Sequence, residues 1–226
     1  MAISIGINGF GRIGRVALRI AISRPETFKL CGINARNADL DYMVYMIRYD
    51  STFGRFQGEL GTYEHGLIIN GQKIPVFTES DAASIPWGSC GAEYIIDATG
   101  AAKAISLVIP SLKDKMSGIS YRVPTTDVSI VDLNVALKES ASYEDICKKV
   151  KEASMTYLSG ILDYVDDEVV SSDFIGDSHA SIFDARQGIQ VNSHFFKVIC
   201  FYDNEWGYTS QIFRLIKYMD QVDHNS

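Results

Sequence analysis

No Cys-x-x-Cys pair and no cysteine–histidine cluster occurs in the 226 residues, although four cysteines and four histidines are present. Cys31, Cys90, Cys147 and Cys200 are widely scattered, which excludes a zinc-ligand spacing and a disulfide framework. No Lys/Arg run is present and the net charge is −7, so nothing here makes a basic patch for nucleic acid. No apolar run approaches the length of a membrane span. The first residues lack the basic segment and following apolar core of a secretory signal. Internal repeats and low-complexity tracts are also lacking. What is present is 46% hydrophobic and 22% charged sequence, enough for a packed core in one large or two small domains. These balances describe a soluble, cytoplasmic protein with no metal, membrane or nucleic-acid partner.

The strongest local signal is Asn8-Gly9-Phe10-Gly11-Arg12-Ile13-Gly14-Arg15. Ile3, Ile5 and Ile7 before it alternate as in a buried strand; Ile13, Val16, Ala17 and Ile20 after it share one helical face. Three spaced glycines between strand and helix let the backbone approach a pyrophosphate, and the helix offers it unpaired N–H groups. The fingerprint therefore points to dinucleotide binding, against a plain tight turn.

Farther on, Lys29–Asn34 reads as a second strand, completing a βαβ unit. Leu40, Met43, Val44 and Ile47 form a helical stripe behind Asp39, a candidate N-cap. The segment 67–76 turns at Asn70-Gly71, a hairpin signal. Tyr94–Asp97 is a short strand, and Ala101, Ala104, Ile105, Val108 and Leu112 trace another helix. The pattern then shifts: 129–137 alternates, Ser142-Tyr143-Glu144-Asp145 resembles a capping box, 195–202 is a long apolar strand, and Ile212, Leu215, Ile216 and Met219 stripe a terminal helix. Early βαβ order followed by antiparallel strands predicts two units of different architecture.

Several segments, in order along the chain, resemble glyceraldehyde-3-phosphate dehydrogenase. They include the fingerprint, Tyr49-Asp50-Ser51-Thr52-Phe53-Gly54, Thr99-Gly100-Ala101-Ala102-Lys103-Ala104, Tyr121-Arg122-Val123-Pro124-Thr125, Val128-Ser129-Ile130-Val131-Asp132-Leu133 and Tyr202-Asp203-Asn204-Glu205-Trp206-Gly207-Tyr208. The resemblance implies an α/β fold: a partial Rossmann-type dinucleotide-binding domain over 1–99, then a truncated α+β catalytic domain with an antiparallel-rich sheet and a C-terminal helix over 100–226. It implies NAD or NADP as cofactor, and a glycolytic aldehyde oxidoreductase as ancestor. Gly9, Gly11 and Gly14 would shape the cofactor turn, Arg12 and Ile13 would present N–H groups to the pyrophosphate, and Asn204 would hold the nicotinamide carboxamide. Thr99, Gly100 and Arg122 would be the remnant of a site for the phosphate of glyceraldehyde 3-phosphate.

The departures from the family pattern carry as much information. The Ser-Cys-Thr-Thr-Asn-Cys segment with the family's nucleophile and the Thr-Val-His segment with its base are both missing. Two family Thr-Gly sites merge into Thr99-Gly100, so a long central block is absent, including the loop that supports the family's tetramer; homo-oligomerisation stays open. None of the remaining thiols makes an obvious replacement nucleophile. Cys31, Cys147 and Cys200 read as core, Cys90 as a turn residue, and His65, His179, His194 and His224 as structural or solvated. At the end of the second strand Ala35 replaces the acidic residue expected on the adenosine ribose. Losing that charge-assisted hydrogen bond costs about 1.5–3 kcal/mol of NAD affinity. Arg36 beside it suits a 2′-phosphate, leaning the site to NADP; the alternative has Arg36 in solvent. Three readings follow: a family member without its chemistry, a dinucleotide-binding pseudoenzyme or protein-interaction module, or the product of a truncated gene model or splice.

Overall fold

Alternating isoleucines and a glycine turn make the first βαβ unit: β1 (Ile3–Asn8), α1 (Arg12–Ser23) and β2 (Phe28–Asn34), with β1 and β2 parallel. The structure, a computed structural model, describes residues 2–98 and 123–224. Ile5 and Ile7 are fully buried on β1, as are Val16, Ala17 and Ile20 on the predicted face of α1. α2 (Leu40–Arg48) begins where Asp39 accepts a hydrogen bond from the Tyr42 N–H at 3.0 Å. Asp39→Ala should cost about 1 kcal/mol, read as a lower urea midpoint with an unchanged slope.

β3 (Leu60–Tyr63), β4 (Gly66–Ile69) and β5 (Gln72–Phe77) form an antiparallel extension, and β6 (Tyr94–Asp97) follows the short helix α3 (Trp87–Cys90). Asn70 and Gly71 both have positive φ, 50° and 79°, as the hairpin turn requires. The six strands run β3-β4-β5-β2-β1-β6, with β5, β2, β1 and β6 mutually parallel, so β1 lies inside the sheet and β6 ends it.

The second sheet runs β7-β10-β9-β8, from β7 (Ser129–Ala136), β8 (Leu162–Val165), β9 (Ser181–Asn192) and β10 (Phe195–Tyr202). Two of its three pairings are antiparallel and β8–β9 is parallel. Ser142 caps α4 (Tyr143–Met155), and Asp145 closes the reciprocal hydrogen bond of the capping box. Strands β8 and β9 give little sequence signal, because polar residues interrupt both.

The helix expected from Ala101 to Leu112 lies outside the described residues, and two other expectations change. On the terminal helix α5 (Trp206–His224), Leu215 and Met219 are exposed, at 56% and 41%, while Phe213 and Ile216 are buried. The reason is the neighbour: Phe213 meets Phe28 edge-on at 4.7 Å, so α5 turns that face to the first sheet's core. Cys147 and Cys200 are half-buried rather than core, one on an amphipathic helix and one on an open sheet face.

Candidate functional site

A cleft of about 530 Å³ opens where β1, β2 and β6 end. Gly9 and Gly11 line it with Asn8, Asn34, Arg36 and Asp97. Gly9 takes φ = 105°, a conformation that side chains disfavour, and turns the chain from β1 toward α1. α1 then starts at Gly11 with no side-chain cap, so the first-turn N–H groups, those of Arg12, Ile13 and Gly14, have no partner from that source. Gly14 is needed for packing: a Cβ there would sit 2.0 Å from the Gly9 carbonyl oxygen. This is the geometry in which backbone and helix dipole together receive an anion.

Asparagines make the floor of the cleft. Asn34 Nδ2 donates to Asn8 Oδ1 at 2.9 Å and to the Glu79 carbonyl at 3.0 Å, and Asn34 Oδ1 accepts from the Glu79 N–H at 2.9 Å. These bonds tie β1 and β2 to the loop after β5. Ala35 is buried and brings no carboxylate. Arg36 is exposed at the rim, where its Nη2 donates to the Ser80 carbonyl at 3.0 Å. It therefore lines the cleft instead of standing free in solvent.

The Arg12 side chain leaves the cleft and ties the two units together. Nη1 pairs with Asp50 at 2.5 Å, Nε pairs with Glu205, and the guanidinium lies 4.8 Å from the Phe53 ring centroid. Burial works against the charge of Arg12, yet its bonds to Glu205 and Asp50 raise its pKa. Asp50 is almost wholly buried; desolvation opposes its ionisation, but the Phe53 and Thr52 N–H groups and Arg12 hold its carboxyl below the ordinary value. Sequence reading missed this network because its members lie 38 and 193 positions apart. The usable signal was that both acids sit in the segments that carry the resemblance.

Asn204 is not among the cleft residues. It sits between Asp203 and Glu205 in the turn from β10 to α5, and its Oδ1 accepts from the Ser129 hydroxyl at 3.1 Å. Through Glu205 this turn is held against the start of α1. Thr99, Gly100 and Arg122 lie outside the described residues.

No histidine of the chain bonds to a thiol. His65 faces Glu64, His179 Nδ1 meets Asp177 at 2.7 Å, His194 Nδ1 meets the Leu137 carbonyl, and His224 lies against Asp220. Burial raises the thiol pKa of Cys31 and of Cys200, the direction that suppresses a thiolate. Cys90 gives its S–H to the Trp87 carbonyl at 3.2 Å. Asp163, Asp177 and His179 bring one ligand atom each within 4.8 Å of one another, the one such group among the described residues. The Asp177–His179 bond accounts for the approach of two of the three. No described helix is long and apolar enough to cross a membrane.

Comparison with known proteins matches both halves of the chain. Residues 3–105 match the family model for the glyceraldehyde 3-phosphate dehydrogenase NAD binding domain, and residues 86–204 match that for the C-terminal domain of the same enzyme. Similar proteins include glyceraldehyde-3-phosphate dehydrogenase 2 of Drosophila pseudoobscura pseudoobscura, 34% identical over 97% of this chain and 99% of its own length. The glyceraldehyde-3-phosphate dehydrogenase of Omphalotus olearius is 33% identical over the whole of both chains. That second alignment spans 338 positions against 226 residues, so it opens a large gap in this chain.

Proposed function

Because the chain belongs to the glyceraldehyde 3-phosphate dehydrogenase family, we propose that it keeps the family's dinucleotide cleft and has lost its aldehyde chemistry. The observation that carries the first half is the cleft itself: a glycine turn and an uncapped helix start at the strand ends, in a segment matching an NAD binding domain. The second half rests on the missing nucleophile and base segments and on four histidines with no thiol partner. Oxidation of an aldehyde by this route needs a thiolate to add to the carbonyl and a base to take its proton.

In this reading residues 1–99 bind the dinucleotide and 100–226 are the remnant of the catalytic domain. Support for this division comes from the two family matches, one to each half, which overlap over 86–105. The N–H groups of Arg12 and Ile13 hold the pyrophosphate, Asn204 serves the nicotinamide amide, and Thr99, Gly100 and Arg122 belong to a phosphate subsite. Arg36, with no acid at Ala35, favours a 2′-phosphate, so NADP binds more tightly than NAD. The four free cysteines suit a reducing, cytoplasmic setting.

Incubating the full chain with glyceraldehyde 3-phosphate, inorganic phosphate and NAD or NADP should produce no reduced dinucleotide. Formation of NADH or NADPH in proportion to the amount of protein would overturn the proposal. A second reading, action through a protein partner, draws on Ile130, Val131 and Leu133, all exposed on β7 at the end of its sheet.

A further inference from the structure

Asp127 is a buried acid among acids. It is 7% exposed, and neither carboxylate oxygen has a hydrogen-bond partner among the described residues. In the β7–β10 register Ser129, the first residue of β7, stands opposite Tyr202 and its hydroxyl bonds Asn204 at 3.1 Å, so the residues just before β7 approach the Asp203-Asn204-Glu205 turn. Val128 holds φ = 66°, rare for a β-branched residue, so the chain is turned sharply where Asp127 enters.

Among the described residues, the charged groups acting on Asp127 are the acids Asp203 and Glu205. Asp203 is fully buried and already occupied as an acceptor at the start of α5: its Oδ1 accepts from the Glu205 and Trp206 N–H groups at 2.9 and 2.6 Å, and its Oδ2 from the Gly176 N–H at 2.8 Å. Glu205 is paired with Arg12, whose second partner is Asp50. A second bare carboxylate beside Asp203 would pay burial and like-charge repulsion together. A carboxylic acid there would instead have a hydrogen to donate.

We propose that Asp127 is a positioning residue that, when protonated, donates a hydrogen bond to Asp203, fixing the Asp203-Asn204-Glu205 turn on β7. Ser129 holds Asn204 Oδ1 from the other side, so the two contacts orient the amide between them. The part of the proposal that concerns the dinucleotide rests on the reading of Asn204 given above; the proton itself does not. Burial first, then the charges of Asp203 and Glu205, push the Asp127 carboxyl up to about 6.

The sign of the pH effect follows. Between its ordinary value of 3.8 and about 6 the folded chain holds a proton that the unfolded chain has lost. Stability therefore falls as pH rises through that window, and above it the loss stays constant with pH. Urea unfolding of the full chain at pH 4 and pH 8, on the native protein and on Asp127→Asn, tests this directly. The amide is uncharged at every pH and still donates to Asp203. Relative to that variant, the native folding constant should drop tenfold or more between the two pH values. Parallel profiles would overturn the proposal.

The dinucleotide arm uses NADP titrations over the same range. Relative to Asp127→Asn, the native affinity should weaken several-fold with rising pH, and Asp127→Ala should bind less well than Asp127→Asn. An Ala variant that fails to fold leaves the native-versus-Asn comparison to decide. Equal pH dependence in those two proteins counts against the positioning role. If no protein binds NADP at any pH, the reading of Asn204 fails while the unfolding result still decides the proton.

Discussion

Gly14→Val should leave the chain unable to hold α1 against β1, lowering stability by about 3 kcal/mol or more. The first atom added already sits 2.0 Å from the Gly9 carbonyl oxygen, and that neighbour is backbone, not a flexible side-chain end. Relief requires moving the helix start away from the turn, which opens the contact between Gly14 and the fully buried Ile7. A helix gains about 1 kcal/mol when glycine is replaced by alanine, too little to offset such an overlap. Gly11 supplies the control, because nothing lies within 4 Å of a Cβ placed there. Gly11→Ala should unfold within about 0.5 kcal/mol of the native protein, apart from any change in capping. Urea midpoints for the two variants separate a packing glycine from one that only lines the cleft. Equal midpoints would remove the close-approach argument.

Arg12→Ala should cost about 3 kcal/mol, the low end for breaking a buried ion pair. The lower figure applies because Arg12 is 27% exposed, while Asp50 is 2% exposed. Asp50 would keep the Thr52 and Phe53 N–H groups but lose its counter-ion, and Glu205 would lose its tie to α1. The double variant Arg12→Met, Asp50→Asn should recover much of the loss, since it removes the stranded charge and keeps the bulk over Phe53. A double-mutant cycle on unfolding free energies reads the coupling; simple additivity of the two single changes would show that the pair does not interact. The variant also separates structure from binding, because the backbone N–H of residue 12 survives the substitution.

The parts of the fold legible in the sequence are those set by local rules. Alternating isoleucines gave β1, the Asn70-Gly71 pair gave a hairpin with positive φ at both positions, and Ser142 with Asp145 gave a complete capping box. The glycine fingerprint placed the cleft for the same reason: only glycine permits the turn at Gly9 and the close approach at Gly14. Features set by distant neighbours were not legible. The face that α5 buries depends on Phe28, nearly two hundred residues earlier, so its terminal stripe misled. The Arg12 network arises where the two units meet, and Asp127 meets acids from the far end of β10, so no window of sequence contains both sides. Asn34 was noted as a strand end, but its role as a clamp on Glu79 depends on a loop 45 residues away. The missing catalytic residues were legible as absences only once the resemblance supplied the pattern to compare.

The central claim is that a working dinucleotide cleft survives in a chain without the family's catalytic pair. Calorimetric titration of NADP, and of NAD, into the full chain tests it most directly. The account predicts saturable uptake of one dinucleotide per chain, weak for both and tighter for NADP. Tighter binding of NAD would remove the role given to Arg36, and no saturable uptake of either dinucleotide would contradict the account itself.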